Sequence, residues 1–245
     1  MKTKIIKRSG MIRITFILAA LLMSVPAMTF AQKNGDSHEV AEARKKAADA
    51  SDVLREMMKK PDDFIPQNLL KKAEAIAIFP GVVKAAFLVG GRGGDGVVVR
   101  RTGSGWSMPI FYNMAGASFG PQIGVNKTDY IMLFMNEGAI DQLQKDKFEF
   151  GGDVAFAAGP VGRTAAAETD ASLKAGILTY SRSKGAFVGA SIKGAAVTPD
   201  NDRNMAVYGM KAHDLLMSPN TATKGTIPME IKDFPRTVSQ YAGGK

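Results

Sequence analysis

The chain of 245 residues contains no cysteine. That excludes disulfides and thiolate metal sites, and it leaves the redox compartment open. Histidine is nearly absent as well. His38 and His213 lie far apart, outside any ligand spacing, so a histidine-based metal centre is not expected. Long apolar runs are also missing. The run from Ile14 to Val25 rises ~18 Å as a helix, short of the ~30 Å of a hydrocarbon core. An anchor stretched over Met11 to Phe30 is the alternative use of that region. Excess charge is the last thing in short supply. The formal net charge is +9, but residues 1–31 hold five Lys/Arg and no acid, so the rest carries 27 bases against 23 acids, a net of +4. Such a balance does not indicate a nucleic-acid binder, and it permits only a local basic patch.

The N-terminus reads as a targeting segment. Lys2, Lys4, Lys7, Arg8 and Arg13 precede the apolar run, and Pro26 and Thr29-Phe30-Ala31 follow it with small residues where a signal peptidase reads. Residues 1–31 are therefore assigned as a signal peptide, and the protein is expected to be exported, periplasmic or secreted, and peripheral on a membrane if attached to one. The remaining 214 or so residues, from a chain that is 45% apolar, suffice for one sizeable core.

Val40, Ala43, Ala47, Ala50, Leu54 and Met57 recur at helical spacing, which predicts a helix over 37–60 that Pro61 ends. Its face is mostly Ala, as in a helix packed on a core and unlike an interfacial anchor rich in Trp, Phe and Leu. A second helix is expected from Gln67 to Ala75. From Ile76 the texture changes to short apolar runs between Gly-rich turns: Ile76–Phe79, Val82–Val89, Val97–Arg100, Trp106–Tyr112, Tyr130–Met135, Lys147–Phe150, Ile177–Ser181 and Phe187–Ile192. This spacing predicts an α+β fold, an antiparallel Gly-rich β-barrel or sandwich-like core with N-terminal helices. Asn136 is placed to cap a short helix through Leu143. The organisation expected is a helix over 32–61, a main domain over 62–217 and a loosely ordered tail over 218–245.

Several short matches to catalytic motifs lack the context that their chemistry needs. Gly91-Arg92-Gly93-Gly94-Asp95-Gly96 fits a dinucleotide fingerprint, but Val97-Val98-Val99-Arg100-Arg101 follows where a helix must face the pyrophosphate, so it reads as a Gly-rich hairpin turn. Gly116-Ala117-Ser118-Phe119-Gly120 fits a nucleophile elbow, with Asp170, Asp200 or Asp202 and then His213 in hydrolase order. Gly120-Pro121 follows where a helix is required. A serine hydrolase using Ser118 and His213 is thus the weakest of the functional alternatives. Ser181-Arg182-Ser183-Lys184 has no Ser-Asp-Asn or Lys-Thr-Gly companion. Asp200-Asn201-Asp202-Arg203-Asn204 has Met205 where a calcium loop needs Gly, and reads as a polar turn. No cofactor and no metal are expected. Phosphate can instead be held by Arg, Lys and backbone N–H groups beside glycine turns, where Lys84, Arg92, Arg100, Arg101, Arg163, Arg182 and Lys184 lie.

Tyr180–Ala190 reads as a strand, a basic turn and a strand. Together with Gly159-Pro160-Val161-Gly162-Arg163 and Tyr208-Gly209, it resembles the SYLF domain family. The resemblance runs from about Asp62 to Gly209, through Ile65-Pro66, Leu69-Leu70, Ile76–Pro80, Gly90–Gly94, Trp106–Pro109 and Gly120–Gly124. It implies a non-catalytic domain that binds phospholipid headgroups at a membrane surface. Lys84, Arg92, Arg163 and Lys184 are the lipid contacts so implied, and Gly159-Pro160 is scaffold. Actin binding, known in some eukaryotic members, is not expected of an exported chain, and an anionic phospholipid or membrane surface is the expected partner. An envelope structural or interaction protein without a lipid ligand is the alternative.

Mass spectrometry of the protein from its host is expected to find a mature N-terminus near Gln32. Intact Met1–Ala31 in the membrane fraction would overturn the targeting assignment.

Overall fold

The computed structural model describes residues 30–59, 65–87, 89–119, 124–161, 175–183, 186–187, 192–219 and 226–243. Helix α1 spans Phe30–Met57 and α2 spans Gln67–Lys72. Strands follow: β1 Ala75–Phe87, β2 Val89–Thr102, β3 Gly105–Trp106, β4 Ile110–Phe119 and β5 Gly124–Phe134. After α3, Glu137–Leu143, come β6 Phe148–Glu149, β7 Phe156–Ala158, β8 Ile177–Ser183, β9 Ala186–Phe187 and β10 Ala195–Pro199. Three helices close the described chain: α4 Asn201–Tyr208, α5 Ala212–Met217 and α6 Met229–Ala242. Of residues 1–31, expected to be a signal peptide, 1–29 fall outside the described residues and Phe30 and Ala31 open α1. Among those described, no helix is long and apolar enough to cross a membrane.

The strands form one sheet in the order β6-β10-β4-β2-β1-β5-β8-β7, with β3 beside β2 and β9 beside β8. Pairing is antiparallel except between β7 and β8 at the edge. The chain forces this sheet to curl. Laid flat, its outer strands would stand about 34 Å apart at ~4.8 Å per strand. Yet β6 and β7 are joined by residues 150–155 alone, which reach at most about 25 Å. Aromatic rings fill the seam so formed. Phe148 meets Phe150 at 5.2 Å between centroids, Phe150 meets Phe156 at 5.7 Å, and Phe134 of β5 meets Phe148 from across the curl at 6.5 Å. The result is an α+β fold with a half-barrel core, as the alternation of short strands and Gly turns predicts.

One face of the sheet is enclosed by the curl and the other is covered by helices, which is why Ala75–Phe79 is buried as a continuous run. Ile78, Val97 and Phe111 share the helix-covered face, and Phe79, Gly96 and Tyr112 the enclosed one. On α1 the expected seam of Ala43, Ala47, Ala50, Leu54 and Met57 is fully buried. The helix starts seven residues earlier than its spacing indicated and stops three earlier. The Asn136 side chain accepts from the Ala139 amide at 2.9 Å, capping α3.

Several expectations are corrected. Helix α2 ends at Lys72, because Ala73 is extended and Ala75 opens β1. The glycines of 91–96 lie inside β2, and the chain reverses between Phe87 and Val89 instead. A Cβ at Gly96 would stand 2.4 Å from the Ile78 carbonyl oxygen and 2.5 Å from the Phe79 ring. That glycine is there for close packing against β1. Asp200–Asn204 opens α4, with the Asp200 carboxylate accepting from the Arg203 amide at 3.1 Å. Asn204, fully buried, accepts from the Phe111 amide (2.9 Å) and donates to the Phe111 carbonyl (3.0 Å). Its amide thus continues the ladder on β4 where β10 has ended. The tail expected to be loose carries α6, whose Ile231, Phe234 and Val238 are buried against the core, with Arg44 of α1 bound to Glu230 at 2.6 Å. Strands β7 and β10 were not anticipated, and of the expected Phe187–Ile192 strand only Phe187 falls in a described strand.

Gly96→Ala is expected to lower stability by about 1–3 kcal/mol through overpacking. Gly93→Ala, whose Cβ would meet nothing nearer than 4.0 Å, is expected to change it little. Denaturant melts of the two variants test the assignment of these glycines to a strand.

Candidate functional site

Strands β1 and β2 are 13 and 14 residues long, about 40 Å at ~3.3 Å per residue. Helices cover only the half nearest Ala75. Where α1 crosses, β1 carries one extra residue between Phe79 and Val82, against both β2 and β5. Gly81 takes the positive φ of 61° there, and its amide donates to the Asp129 carboxylate at 2.8 Å. The bulge inverts the alternation of β1. Lys84 therefore shares the enclosed face with Phe79 and Val82, while Val83 joins Asp95 and Asp129 on the helix-covered face.

Beyond the bulge the sheet runs on as an end that no described helix covers, here called the free end. Lys84 stands directly opposite Arg92 on β2 and opposite Asn126 on β5, and Arg92 stands opposite Gly116 on β4. Directly opposed residues place their Cβ atoms about 5 Å apart. Two cations expected on separate turns are thus brought together as neighbours on one face. On the other face of the same end, Val125 is 73% exposed and Val83 38% exposed, beside exposed Lys127. The rest of that face is Ala85, Gly91, Gly93, Ala115 and Ala117, all exposed. Arg163 and Lys184 lie outside the described residues. Strand β8 runs toward the free end and reaches Ser183 opposite Thr128.

Other candidate cations are structural. Arg100 donates to the Leu216 carbonyl at 3.1 Å and pairs with Glu137. Arg101 donates to the carbonyls of Ala73 and Leu70, closing the end of α2. Arg182 donates to Asp129 at 2.9 Å and to Glu56 of α1. Burial alone would lower the Arg182 pKa, but Asp129 and Glu56 outweigh it and raise it. A second node fixes the other end of α1. Asp95 receives Lys46 at 3.1 Å and Arg203 at 2.8 Å, and Arg203 also reaches Glu39. Burial pushes the Asp95 carboxyl up, yet Lys46 and Arg203 together hold it below its ordinary value.

Between the two nodes runs a polar groove of about 400 Å³, lined by charged residues of α1 and by Pro80, Gly81, Lys127, Asp129 and Arg182. Spacing arguments missed it because its walls come from segments 30 to 130 residues apart in the chain.

The hydrolase constellation does not assemble. Ser118 lies within β4 with its Cα opposite Gly90, at the free end. His213 is exposed on α5, whose Leu216 receives Arg100 near the other end of the sheet. Ser118 and Ile110 are separated by about 26 Å of strand, so no side chain spans the gap. Gly159, read as scaffold, packs as such: a Cβ there would stand 2.1 Å from the Tyr180 ring. Among the described residues no group of His, Asp or Glu is placed to hold a metal.

Similarity to known proteins covers much of the chain. The family described as Las17-binding protein actin regulator, Ysc84, matches residues 115–241. That match begins in β4 and ends in α6, so it takes in the C-terminal helix beyond Gly209. Protein YSC84 of Saccharomyces cerevisiae is 38% identical over 169 residues, 65% of this chain and 36% of its own length. LAS seventeen-binding protein 3 of the same yeast is 38% identical over 152 residues, 60% of this chain and 33% of its own. Human SH3 domain-containing YSC84-like protein 1 is 32% identical over 182 residues, 71% of this chain and 53% of its own. The chain thus spans about a third to a half of the length of these relatives.

The Asp95 node makes a pH-dependent contribution to stability. A carboxylate whose folded pKa is depressed stabilises the fold above its unfolded pKa, about 3.9, and loses that contribution as pH falls through the folded value. Asp95→Asn is therefore expected to melt below wild type at pH 7, with the gap closing as pH drops below about 4. Thermal melts of both proteins across that range check it.

Proposed function

We propose, from the premise that this chain belongs to the Ysc84 family, the SYLF family of its sequence blocks, that it is a non-catalytic binding domain whose free sheet end engages an anionic phospholipid surface. The observation that carries this reading is the Lys84–Arg92 pair. Two cations directly opposed on neighbouring strands concentrate positive charge at one place on the sheet, and a surface of negative phosphates attracts such charge. Exposed Val125 and Val83 at the same end, with Lys127 beside them, supply apolar area of the kind that rests at a headgroup boundary. Arg163 and Lys184 belong to the same proposal as further contacts. The reading of residues 1–31 as a signal peptide supports export, and an exported domain would meet an envelope or extracellular membrane surface.

A second reading has its own support. The relatives' names speak of Las17 binding and the family's of actin regulation, both protein partners, so a domain that engages a protein and no lipid is the competing function. Export would separate this chain from cytosolic actin, and it is expected to stay in the supernatant when filamentous actin is sedimented.

Vesicle co-sedimentation decides between the readings. At about 1 kcal/mol per cation near an anionic surface, three or four contacts give about 3–4 kcal/mol, hence reversible binding. The protein is expected to pellet with phosphatidylcholine vesicles containing phosphatidylglycerol and not with pure phosphatidylcholine. At ~1 M salt, where the Debye length is ~3 Å, pelleting should be lost. Lys84→Glu with Arg92→Glu should weaken it, with circular dichroism unchanged. Equal binding to both vesicles, or none to either, moves the protein-partner reading to first place.

A further inference from the structure

Arginine charges in this fold are met by carboxylates. Arg44, Arg55, Arg100, Arg182, Arg203 and Arg236 each lie within ion-pair distance of an Asp or Glu. Arg101 does not. Its Nε donates to the Ala73 carbonyl at 2.9 Å, Nη1 to Gly243 at 3.3 Å and Nη2 to Leu70 at 3.1 Å. Its guanidinium carbon lies 4.2 Å from the centroid of the Trp106 ring. All three acceptors are neutral and two of its five N–H donors remain, so among the described residues its full charge is uncompensated at contact distance. Burial lowers its pKa, with Glu74 opposing from further off, as befits a desolvated cation without an ion-pair partner.

Arg101 opens onto a pocket of about 380 Å³ lined also by Lys71, Lys72, Glu74, Thr102 and Gly103. Lys71 and Lys72 close the last turn of α2 and are exposed. Because Arg101 has taken two of the terminal carbonyls of α2, the negative end of that helix does not repel an anion there. Three cations against one carboxylate leave an excess of two positive charges, the charge that a phosphate monoester brings near neutral pH.

We propose that Lys71, Lys72 and Arg101 form a binding pocket for a phosphate-monoester-type oxyanion at the helix-bearing end of the sheet, separate from the Lys84–Arg92 pair. Arg supplies planar donors to phosphate oxygens and the two lysines supply point charge. The site does not rest on the lipid reading of the free end, since failure of phosphatidylglycerol vesicles to bind leaves it standing.

The chain's single tryptophan, Trp106, stacks on Arg101 and so reports on the pocket. Titrating the full mature chain with inorganic phosphate at constant ionic strength is expected to change Trp106 fluorescence saturably. Lys71→Gln with Lys72→Gln should weaken the apparent affinity at least tenfold. Those lysines make no ion pair or hydrogen bond among the described residues, so that variant should fold. Vesicles carrying phosphatidic acid form the second arm: a Lys71/Lys72-dependent response to them alone assigns the phosphate to a lipid, and a response to free phosphate assigns it to a soluble ligand. An unchanged titration in the Lys71/Lys72 variant overturns the proposal. So does the absence of both a saturable fluorescence change and calorimetric heat in either arm.

Discussion

The extra residue that β1 carries between Phe79 and Val82 is the constraint on which the rest of the molecule depends. It brings Phe79 and the Ile78 carbonyl so close to β2 that only glycine fits at position 96. It turns the Gly81 amide toward Asp129, and Asp129 in turn holds Arg182, which holds Glu56 of α1. The placement of the long N-terminal helix therefore traces back to one irregular step in a strand. The same step changes which face Lys84 occupies. Without it, Lys84 would point with Ile78 toward the helices, and the Lys84–Arg92 pair would not form.

Helix α1 is held in a mixed manner. At its centre Ala43, Ala47 and Ala50 allow the helix to lie close but bury little area each, whereas a Leu or Met contributes about 1.5–3 kcal/mol when fully buried. Leu54 and Met57 provide that at the C-terminal end only. Toward the N-terminal end, the Glu39–Arg203–Asp95–Lys46 network takes the larger share. Half-buried pairs of this kind are screened less than surface pairs and cost more to break than to leave unmade, because each remaining charge would be left without its partner. A helix attached by apolar packing along one face and by an ion-pair network toward each end is fixed in register as well as in position.

What could be read from the residues was what depends on near neighbours. The cap at Asn136, the Ala seam of α1 and the alternation of strands are local patterns, and they appear in the fold where spacing put them. Features settled by distant partners were not legible. Arg182 and Lys184 look equivalent in a basic turn, but Arg182 is claimed by Asp129 and Glu56, 53 and 126 positions away. The glycines of 91–96 pass for a turn until Phe79 is placed against Gly96. Helix α6 was obscured by Pro235 in its interior, although Ile231, Phe234 and Val238 keep helical spacing around it. Arg101 was one candidate cation among several and Trp106 part of a family block, but their stacking depends on a two-stranded turn between β2 and β3 that spacing does not show.

Arg92 and Arg101 lie on one strand, nine residues and about 30 Å apart, and their surroundings give them different electrostatics. Lys84 and Arg92 are both half-buried on the enclosed face of the sheet beyond the bulge, and charges that reach solvent from there are screened over a Debye length of ~8 Å at physiological ionic strength. In the proposed contact with an anionic surface, attraction would be summed over several cations and weakened by salt. Arg101 is half-buried against an indole and three carbonyls, where screening is weaker and the geometry of its remaining donors is fixed. An anion held there is selected by shape and hydrogen bonding more than by net field. The long β2 strand thus separates two positive regions of different physical character, one suited to a surface and one to a discrete ligand.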